Sequence, residues 1–554
     1  MVVLFMVLKD DTINQTMLVP MDLRNLIPGD HPCYFIKNVV DQIDCSEANK
    51  EFRDKPGEPA YPREMLLRLV LMSVFDGGLS SREIERRTRT DIAYMYLAGM
   101  QKPVYRTILR FKLDYPDLID EAFKTTLKIA KEEDLIKIHH LSLDGTKIKA
   151  KTSMKNITNE QQLKIMKEHL EESIKLDQEE DSELGEESGN SVPESLTNKE
   201  KFQKTVEKIN DSSENDIDQD KLRASSKNLL KQAEENPEKI YKKIETIEEK
   251  LNESEKDVIS INDPDSRLMV NKKGKWEYDY NGQIAVDSHK GIIVASYITN
   301  NPTDHYELVP LMEQVQSNLA GIYDEMPVNY QVSADNGYST DENTDYLDKH
   351  GLDGYIASRK LSRKEKNRKL SEKPFSKDNF DYDYEMMTYI CPLGQPLYKK
   401  SEYQYKNKTR ITHWTKECKN CPVQEYCSKT QRYRTISDYG NISKIKMQRK
   451  METTEAQKIY KIRSKTAELP FAHIKQNMHL TEFTTTGLKQ VNTELKLYTI
   501  GHNLKRIYNE INNKNNWKKN KIITKNFKIK KFYKKLKNFM SHPECNTRWL
   551  QFMI

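Results

Sequence analysis

The chain has no long apolar run. Nowhere in its 554 residues is there a stretch near the roughly 20 apolar residues that a membrane-crossing helix needs. The apolar opening MVVLFMVL has no basic flank before it and no small-residue cleavage site, and KDDT follows at once. It therefore does not read as a signal peptide, and either Met1 or Met6 serves as the start. No Gly-rich P-loop, no His-Glu-x-x-His and no Gly-x-Ser-x-Gly elbow occurs, so ATPase, zincin and serine-hydrolase readings have no support. Cysteine is scarce, and four of the seven (391, 418, 421 and 427) cluster. That is metal spacing in a reducing compartment, not a disulfide framework.

Charge is abundant but segregated. The formal excess of base is only +6. Yet DQEEDSELGEES (177–188) is acidic, while the stretch from Lys514 to Lys537 holds eleven Lys and no acid. A basic run of this kind is either a footprint for a polyanion or a solvated tail. The length suggests about three or four domains.

Residues 1–125 read as a helical domain. REMLLRLVLMSVFDG has helical apolar periodicity and stops at Gly77-Gly78. SSREIERRTRTD, AYMYLAG and VYRTILRFK follow as short helices that present Arg86, Arg87, Arg106 and Arg110. This suits a helix-turn-helix-like DNA-binding module, or equally a plain bundle with a solvated basic face.

From residue 136 the pattern turns to strands. IHHLSLDGTKIKA carries Asp144 at a strand, with His139 and His140 read as loop caps. Residues 155–262 form a Lys/Glu-rich insertion. Ile240, Ile244, Ile247 and Leu251 recur at helical spacing there, and disorder is expected near 177–222. YNGQIAVDSHKGIIVASYITN is a hairpin. DHYELVPLMEQVQSNL is a helix with Asp304 and Glu307 at capping-box spacing. VNYQVSAD ends in Asp335, and a further helix and strand reach residue 358. With the insertion removed, three antiparallel strands precede a βαβ unit, the strand order of an RNase H-like fold. The expected class is thus α/β: an RNase H-like mixed-sheet core over 136–152 and 270–358, with a helical N-terminal domain and inserted helical and Cys-rich segments. The Cys-rich insertion covers 359–442, helices cover 443–510, and a basic tail covers 511–554.

In that fold Asp144 and Asp335 lie on adjacent strands. Two carboxylates at contact distance raise each other's pKa unless a cation intervenes. Mg²⁺ takes hard oxygen ligands and leaves room for phosphate and water. A third acid would complete a two-metal site for in-line phosphoryl transfer. YKIRSKTAELPFAHIKQN offers Glu468, with Tyr460, Arg463 and Lys475 near the same helical face. Pro470 is expected to break the helix just after Glu468, which favours the Tyr460/Arg463/Glu468 alignment over the reach to Lys475. The small Gly337 beside Asp335 is read as room for a phosphate backbone.

These segments together resemble the DDE transposases of prokaryotic insertion sequences. The likeness rests on DGTKIKA, YNGQIAVD, ITNNPTDHYELVPLMEQV, VSADNGYST and AELPFAHIK, and on AYPREMLLRLVLMSVFDGGLSSREIERRTRTDIAYMYLAGMQKPVYRTILRF for the helical N-terminal domain. It covers about residues 15–155 and 260–508, in order. Asn336 departs from the small residue commoner there, and the acidic arm and Lys-rich tail match nothing in the group. The resemblance implies a triad Asp144, Asp335 and Glu468 holding Mg²⁺ or Mn²⁺. It implies that Tyr460, Arg463 and Lys475 hold transposon-end DNA. It further implies double-stranded DNA as partner (terminal inverted repeats and target), a homodimer on paired ends, and a cytoplasmic, nucleoid-associated location. The implied reaction is hydrolysis at the element end followed by attack of the freed 3′-OH on target DNA, with no covalent enzyme–DNA intermediate. Two other readings are a repurposed, inactive DNA-binding protein and a nuclease without strand transfer.

Cys391, Cys418, Cys421 and Cys427 are spaced x26, x2 and x5, close to a structural Zn²⁺ ribbon; the bland reading is four free thiols. His413 is a stand-in ligand or a surface residue. His473 is a candidate to touch DNA or water. Cys33, Cys45 and Cys545 are ordinary.

Overall fold

The computed structural model describes residues 22–50, 59–168, 237–254, 257–271, 274–323, 327–357, 374–405, 408–428, 433–438 and 440–540, with isolated positions between these stretches. The acidic stretch 177–188, the disorder expected near 177–222, both candidate start residues and Cys545 lie outside the described residues. The chain divides into two compact units, Met1–Thr125 and Thr126–Ile554.

The first unit is helical: α1 (Pro32–Val40), α2 (Ser46–Lys50), α3 (Arg63–Phe75), α4 (Ser81–Thr90), α5 (Ile92–Leu97) and α6 (Tyr105–Asp114), followed by α7 (Pro116–Glu132), which crosses the boundary. From Met65 to Phe75 helix α3 is apolar and buried almost all round, Arg68 being the one partly exposed residue. A helix without a polar face must sit at the centre, and α1, α4, α5 and α6 all pack on it. Gly77 and Gly78, at φ 107° and 82°, reverse the chain after α3. Ser80 then caps α4 by accepting the Glu83 N–H at 3.2 Å.

Arg87 is not a free cation on a basic face. Its guanidinium donates to Asp76 at 2.9 Å and Glu83 at 3.1 Å, and lies 5.3 Å from the centre of the Tyr94 ring. Tyr94 donates its hydroxyl to the same Asp76 oxygen at 2.9 Å. Arg86, in contrast, is 61% exposed and held by surface contacts to Glu83 and, at 3.5 Å, the Thr90 hydroxyl. Arg106 and Arg110 are exposed. Arg87→Ala is therefore expected to lose about 1–3 kcal/mol of stability by leaving Asp76 without its cation, whereas Arg86→Ala is near neutral; thermal unfolding of the two variants checks this.

The second unit is built on a mixed sheet. Strand β1 (His140–Lys149) is followed by the short pair β2 (Ile157–Thr158) and β3 (Ile259–Ser260), which enclose the insertion. There α8 (Pro237–Glu253) turns Ile240, Ile244, Ile247 and Leu251 onto Leu163 and Met166 of a helix over 160–168. Strands β4 (Arg267–Val270), β5 (Trp276–Asp287) and β6 (Ile292–Thr299) precede α9 (Leu308–Leu319), β7 (Gln331–Ala334), α10 (Asp341–Lys349) and β8 (Asp353–Ile356). Strand β5 runs antiparallel to β1 on one edge and to β4 and β6 on the other; β7 lies parallel beside β1, and β8 parallel beside β7.

A second, five-stranded antiparallel sheet follows: β9 (Asp381–Asp383), β10 (Thr388–Ile390), β11 (Pro396–Tyr405), β12 (Lys408–Trp414) and, after the short α11 (Gln424–Cys427), β13 (Thr435–Asp438). Helices α12 (Ile442–Lys450), α13 (Thr454–Thr466), α14 (Glu468–Ala472) and α15 (Leu488–Met540) follow. Helix α13 packs across β1, β7 and β8. Helix α15 covers the outer edge of β6: Asn503 exchanges both hydrogen bonds with the Ile293 backbone at 2.9 Å, and Asn492 accepts the Ile298 N–H at 2.9 Å. An edge that would otherwise invite a foreign strand is closed by side-chain amides.

Two expectations are corrected here. His140 is not a loop cap but the first residue of β1, 4% exposed, and burial pushes its imidazole down to about 4. His413 is no surface residue; it is 3% exposed in β12, near Asp438.

Candidate active site

Parallel pairing of β1 with β7 aligns Ser142 with Ser333. Two residues further along the same faces stand Asp144 and Asp335, 191 positions apart in the chain. Asp144 is 8% exposed within β1. Asp335 ends the strand and accepts the Gly337 N–H at 2.7 Å, capping the tight turn Asn336–Tyr338. It is thus a turn residue as well as a candidate ligand.

Helix α13 brings a cation to this pair. Thr466 bonds Ser142 hydroxyl to hydroxyl at 2.5 Å, which fixes the helix on β1. Arg463 then donates to Asp144 at 3.3 Å. Burial opposes the charge on Arg463, but Tyr460, Asp144 and Asp335 outweigh it and hold its pKa above the ordinary value. Tyr460 is only 8% exposed; it packs with Tyr355, Met451 and Ala456, and Arg463 lies over its ring at 5.5 Å.

The helix does not break where Pro470 predicts. The interruption falls at Ala467, and Pro470 sits in the first turn of α14, where its missing N–H costs no helical bond. A π-helical turn over His473–Asn477 follows. As a result Lys475 does reach the sheet, donating to the Thr146 hydroxyl at 2.7 Å and the Lys147 carbonyl at 2.6 Å. Glu468 is exposed at the start of α14. It does not join the two aspartates: among the described residues no three His, Cys, Asp or Glu side chains are placed to hold one metal ion.

The residue missed in the sequence is Asp304. The capping-box spacing is misleading, because α9 begins only at Leu308 and Glu307 makes no side-chain cap. Glu307 instead accepts from Tyr297 at 2.5 Å and from Asn301 at 2.7 Å. Asp304 turns to the sheet and accepts from Asn281 and Gln283, each at 2.7 Å. Buried Tyr338 donates to the other end of Gln283. Three separate motifs, YNGQ, PTDHYE and DNGY, therefore meet in one hydrogen-bonded network. The glycines make room for it. A Cβ on Gly145 would lie 2.5 Å from Gln283 Nε2 and 2.7 Å from Asp304 Oδ1; one on Gly337 would lie 2.9 Å from the Asp335 carboxylate. The space at Gly337 is taken by Asp335 and Asp304, not kept for a phosphate backbone.

A cation lies beside the network. The Lys147 ammonium is buried without a hydrogen-bond partner, and burial lowers its pKa against the pull of Asp304, Asp279, Glu307 and Asp335. Beside α14 a groove of about 460 Å³ is lined by Leu469, Asn477, Lys505 and Arg506, among others. His473 also lines it, with its Nδ1 3.1 Å from that of His502. His502 bonds the Gly291 carbonyl, and burial pushes it down to about 3.

Two predictions follow from this packing. Gly145→Ala is expected to cost about 1–3 kcal/mol by overpacking, because Gln283 and Asp304 are bonded to each other and cannot both retreat; thermal unfolding measures it. Asp279 supplies a pH test. It is 2% exposed, and burial, then Glu277, push its carboxyl up to about 6 against Lys475, Lys147 and Lys149. The unfolded value is roughly 3.9, so the folded chain holds this proton more tightly. The stability it contributes is full below the unfolded value and is lost as pH rises through the folded one. Urea unfolding at stepped pH should show Asp279→Asn gaining on the wild type between pH of about 4 and 6 and levelling off above; a pH-independent gap refutes it.

Comparison with known proteins gives two family matches. Residues 390–508 match the "Transposase DDE domain" family, and residues 21–113 match the "Transposase domain (DUF772)" family. The first takes in the Cys-rich sheet from the end of β10 onward, Tyr460, Arg463, Glu468 and Lys475 but not Asp144 or Asp335; the second lies within the helical unit. No curated protein and no solved structure gives a match. Two transposase family matches in one chain support an insertion-sequence DDE transposase.

Proposed function

We propose that this chain cleaves DNA at the ends of an insertion sequence and transfers the freed 3′-OH into target DNA. The observation that carries the reading is the meeting of Asp144 and Asp335 on adjacent parallel strands, with Arg463 drawn to both. The strand order β6-β5-β1-β7-β8, three antiparallel strands and then two parallel to β1, supports an RNase H-like core.

The donor set suits a hard divalent cation, since both converging groups are carboxylates. Asp144 and Asp335 would hold Mg²⁺ or Mn²⁺, Glu468 would complete the set only by moving in from its exposed place at the start of α14, and the ion would supply Lewis acidity toward water and the leaving oxygen. The chain's own residues do the positioning. Arg463, fixed by the Tyr460 ring, offers a planar cation to a phosphate beside Asp144. Lys475 holds the C-terminal side of the helix to β1 and keeps positive charge along the same strand. Lys505 and Arg506 extend that charge into the groove beside Glu468, where a duplex backbone would run. Burial around Asp144 limits water and strengthens each of these interactions. In this reading the helical unit recognises the terminal repeats through Arg86, Arg106 and Arg110, and two chains act on paired ends. No Ser, Tyr or Cys nucleophile is required.

The test is cleavage of a labelled element-end duplex with Mg²⁺ or Mn²⁺. Wild type should cut and, with target DNA present, give strand-transfer products. Asp144→Asn, Asp335→Asn and Glu468→Gln should each lose cutting to below detection while binding the same duplex. Cutting by any of the three removes that residue from the triad. Binding without cutting by the wild type favours a repurposed DNA-binding protein, and cutting without transfer favours a plain nuclease.

A further inference from the structure

Among the described residues, the small sheet β9–β13 has only a small apolar core of its own. Five buried side chains, Phe380, Tyr382, Tyr389, Leu397 and Ile436, form its centre, and Cys391, Cys427 and Ile445 pack at the margin. A core of this size rarely holds a sheet unaided; small folds add disulfides or a structural metal. All four clustered cysteines are free thiols, each half-buried. They come from two stretches of chain, around 391 and 418–427, yet all of them line one small cavity, with Phe380 and Leu397 also in its lining.

The local backbone is shaped for sulfur ligands. Cys391 opens a tight turn in which Gly394, at φ 80°, donates to the Cys391 carbonyl at 2.8 Å, and the Gln395 N–H points at Cys391 Sγ at 3.3 Å. Cys418 and Cys421, with two residues between them, sit around a second turn, the Cys421 N–H facing the Cys418 carbonyl at 3.4 Å. Cys427 ends α11, which springs from that turn. Two turns, each presenting thiols into a shared space, match the arrangement of a closed four-sulfur site.

We propose that Cys391, Cys418, Cys421 and Cys427 bind one structural Zn²⁺ that clamps this sheet. The thiols line the cavity without forming a closed shell; they close on the ion by side-chain rotation to the roughly 2.3 Å of a Zn–S bond. Binding exchanges thiol protons for the ion and changes no oxidation state. His413 is not a ligand, because it does not line the cavity. The clamp's reach is structural. Ile445 of α12 packs on the same core, and Arg449 donates to the Phe380 carbonyl, so the site braces the helix that leads into α13.

The experiment uses the full chain, purified from zinc-replete cells without chelator. Elemental analysis should find about one zinc per chain, and replacement by Co²⁺ should give the visible bands of tetrahedral cobalt–thiolate. Cys421→Ser and Cys427→Ser should each lose the metal. Should either variant fail to fold, the wild-type metal content and cobalt spectrum still decide the matter. Wild type with no bound zinc and no cobalt–thiolate spectrum, or with the four cysteines oxidised as disulfides, overturns the proposal. Zinc retained in both serine variants overturns it too.

Discussion

Everything at the candidate site depends on one strand pairing. The parallel ladder between β1 and β7 carries two carboxylates to the same place from positions separated by the whole insertion, the hairpin and α9. Like charges so placed repel, and partial burial strengthens the repulsion. The fold tolerates them because α13 sets a buried guanidinium against them, itself held by Tyr460. The helix is fixed by a polar contact, Ser142 to Thr466, at the point where its cation must be aligned. The site thus relies on a charge balance between elements that fold far apart in sequence. Removing Arg463 would leave the two acids in a half-closed space without the guanidinium that faces them.

A second constraint is steric. The Gly that follows Asp144 and the Gly after Asp335 both border Asp304. Without side chains there, the PTDHYE loop can approach the two strand ends closely enough for Asn281 and Gln283 to hold its carboxylate. These glycines are not serving as flexible hinges. They are the space in which a third acidic group and its amide partners are packed, and that packing explains why YNGQ, PTDHYE and DNGY occur in one chain.

The broad architecture was legible from the sequence because period-2 alternation and acid-terminated strands are local signals. The helical start, the hairpin at Asp287–Gly291 and the order of β7, α10 and β8 could all be read that way. The miss at Asp304 has a physical cause. Its three-residue spacing to Glu307 mimics a cap, but the two buried strands β5 and β6 offer those carboxylates better partners than four helical N–H groups do. Arg87 was misjudged for the same reason, since a cation on an amphipathic helix carries no local mark that an acid at the end of α3 will claim it. His140 and His413 are buried by tertiary contacts that no window of sequence contains.

The segment from Arg463 to Lys475 shows how local and distant forces divide the work. Sequence alone treats it as one helix to be broken by Pro470. In the fold, the proline sits where a helix can accept it, and a π-turn absorbs the register change needed to bring Lys475 onto β1. The cost of that turn is offset by two hydrogen bonds from a charged donor in a protected setting. Arg463 and Lys475 are both pinned to β1, and Glu468 lies between them on the unpinned part of the path. Of the three proposed acids it is therefore the one whose position is set by helix geometry alone, and DNA bound along Lys505 and Arg506 would act on that same short stretch first.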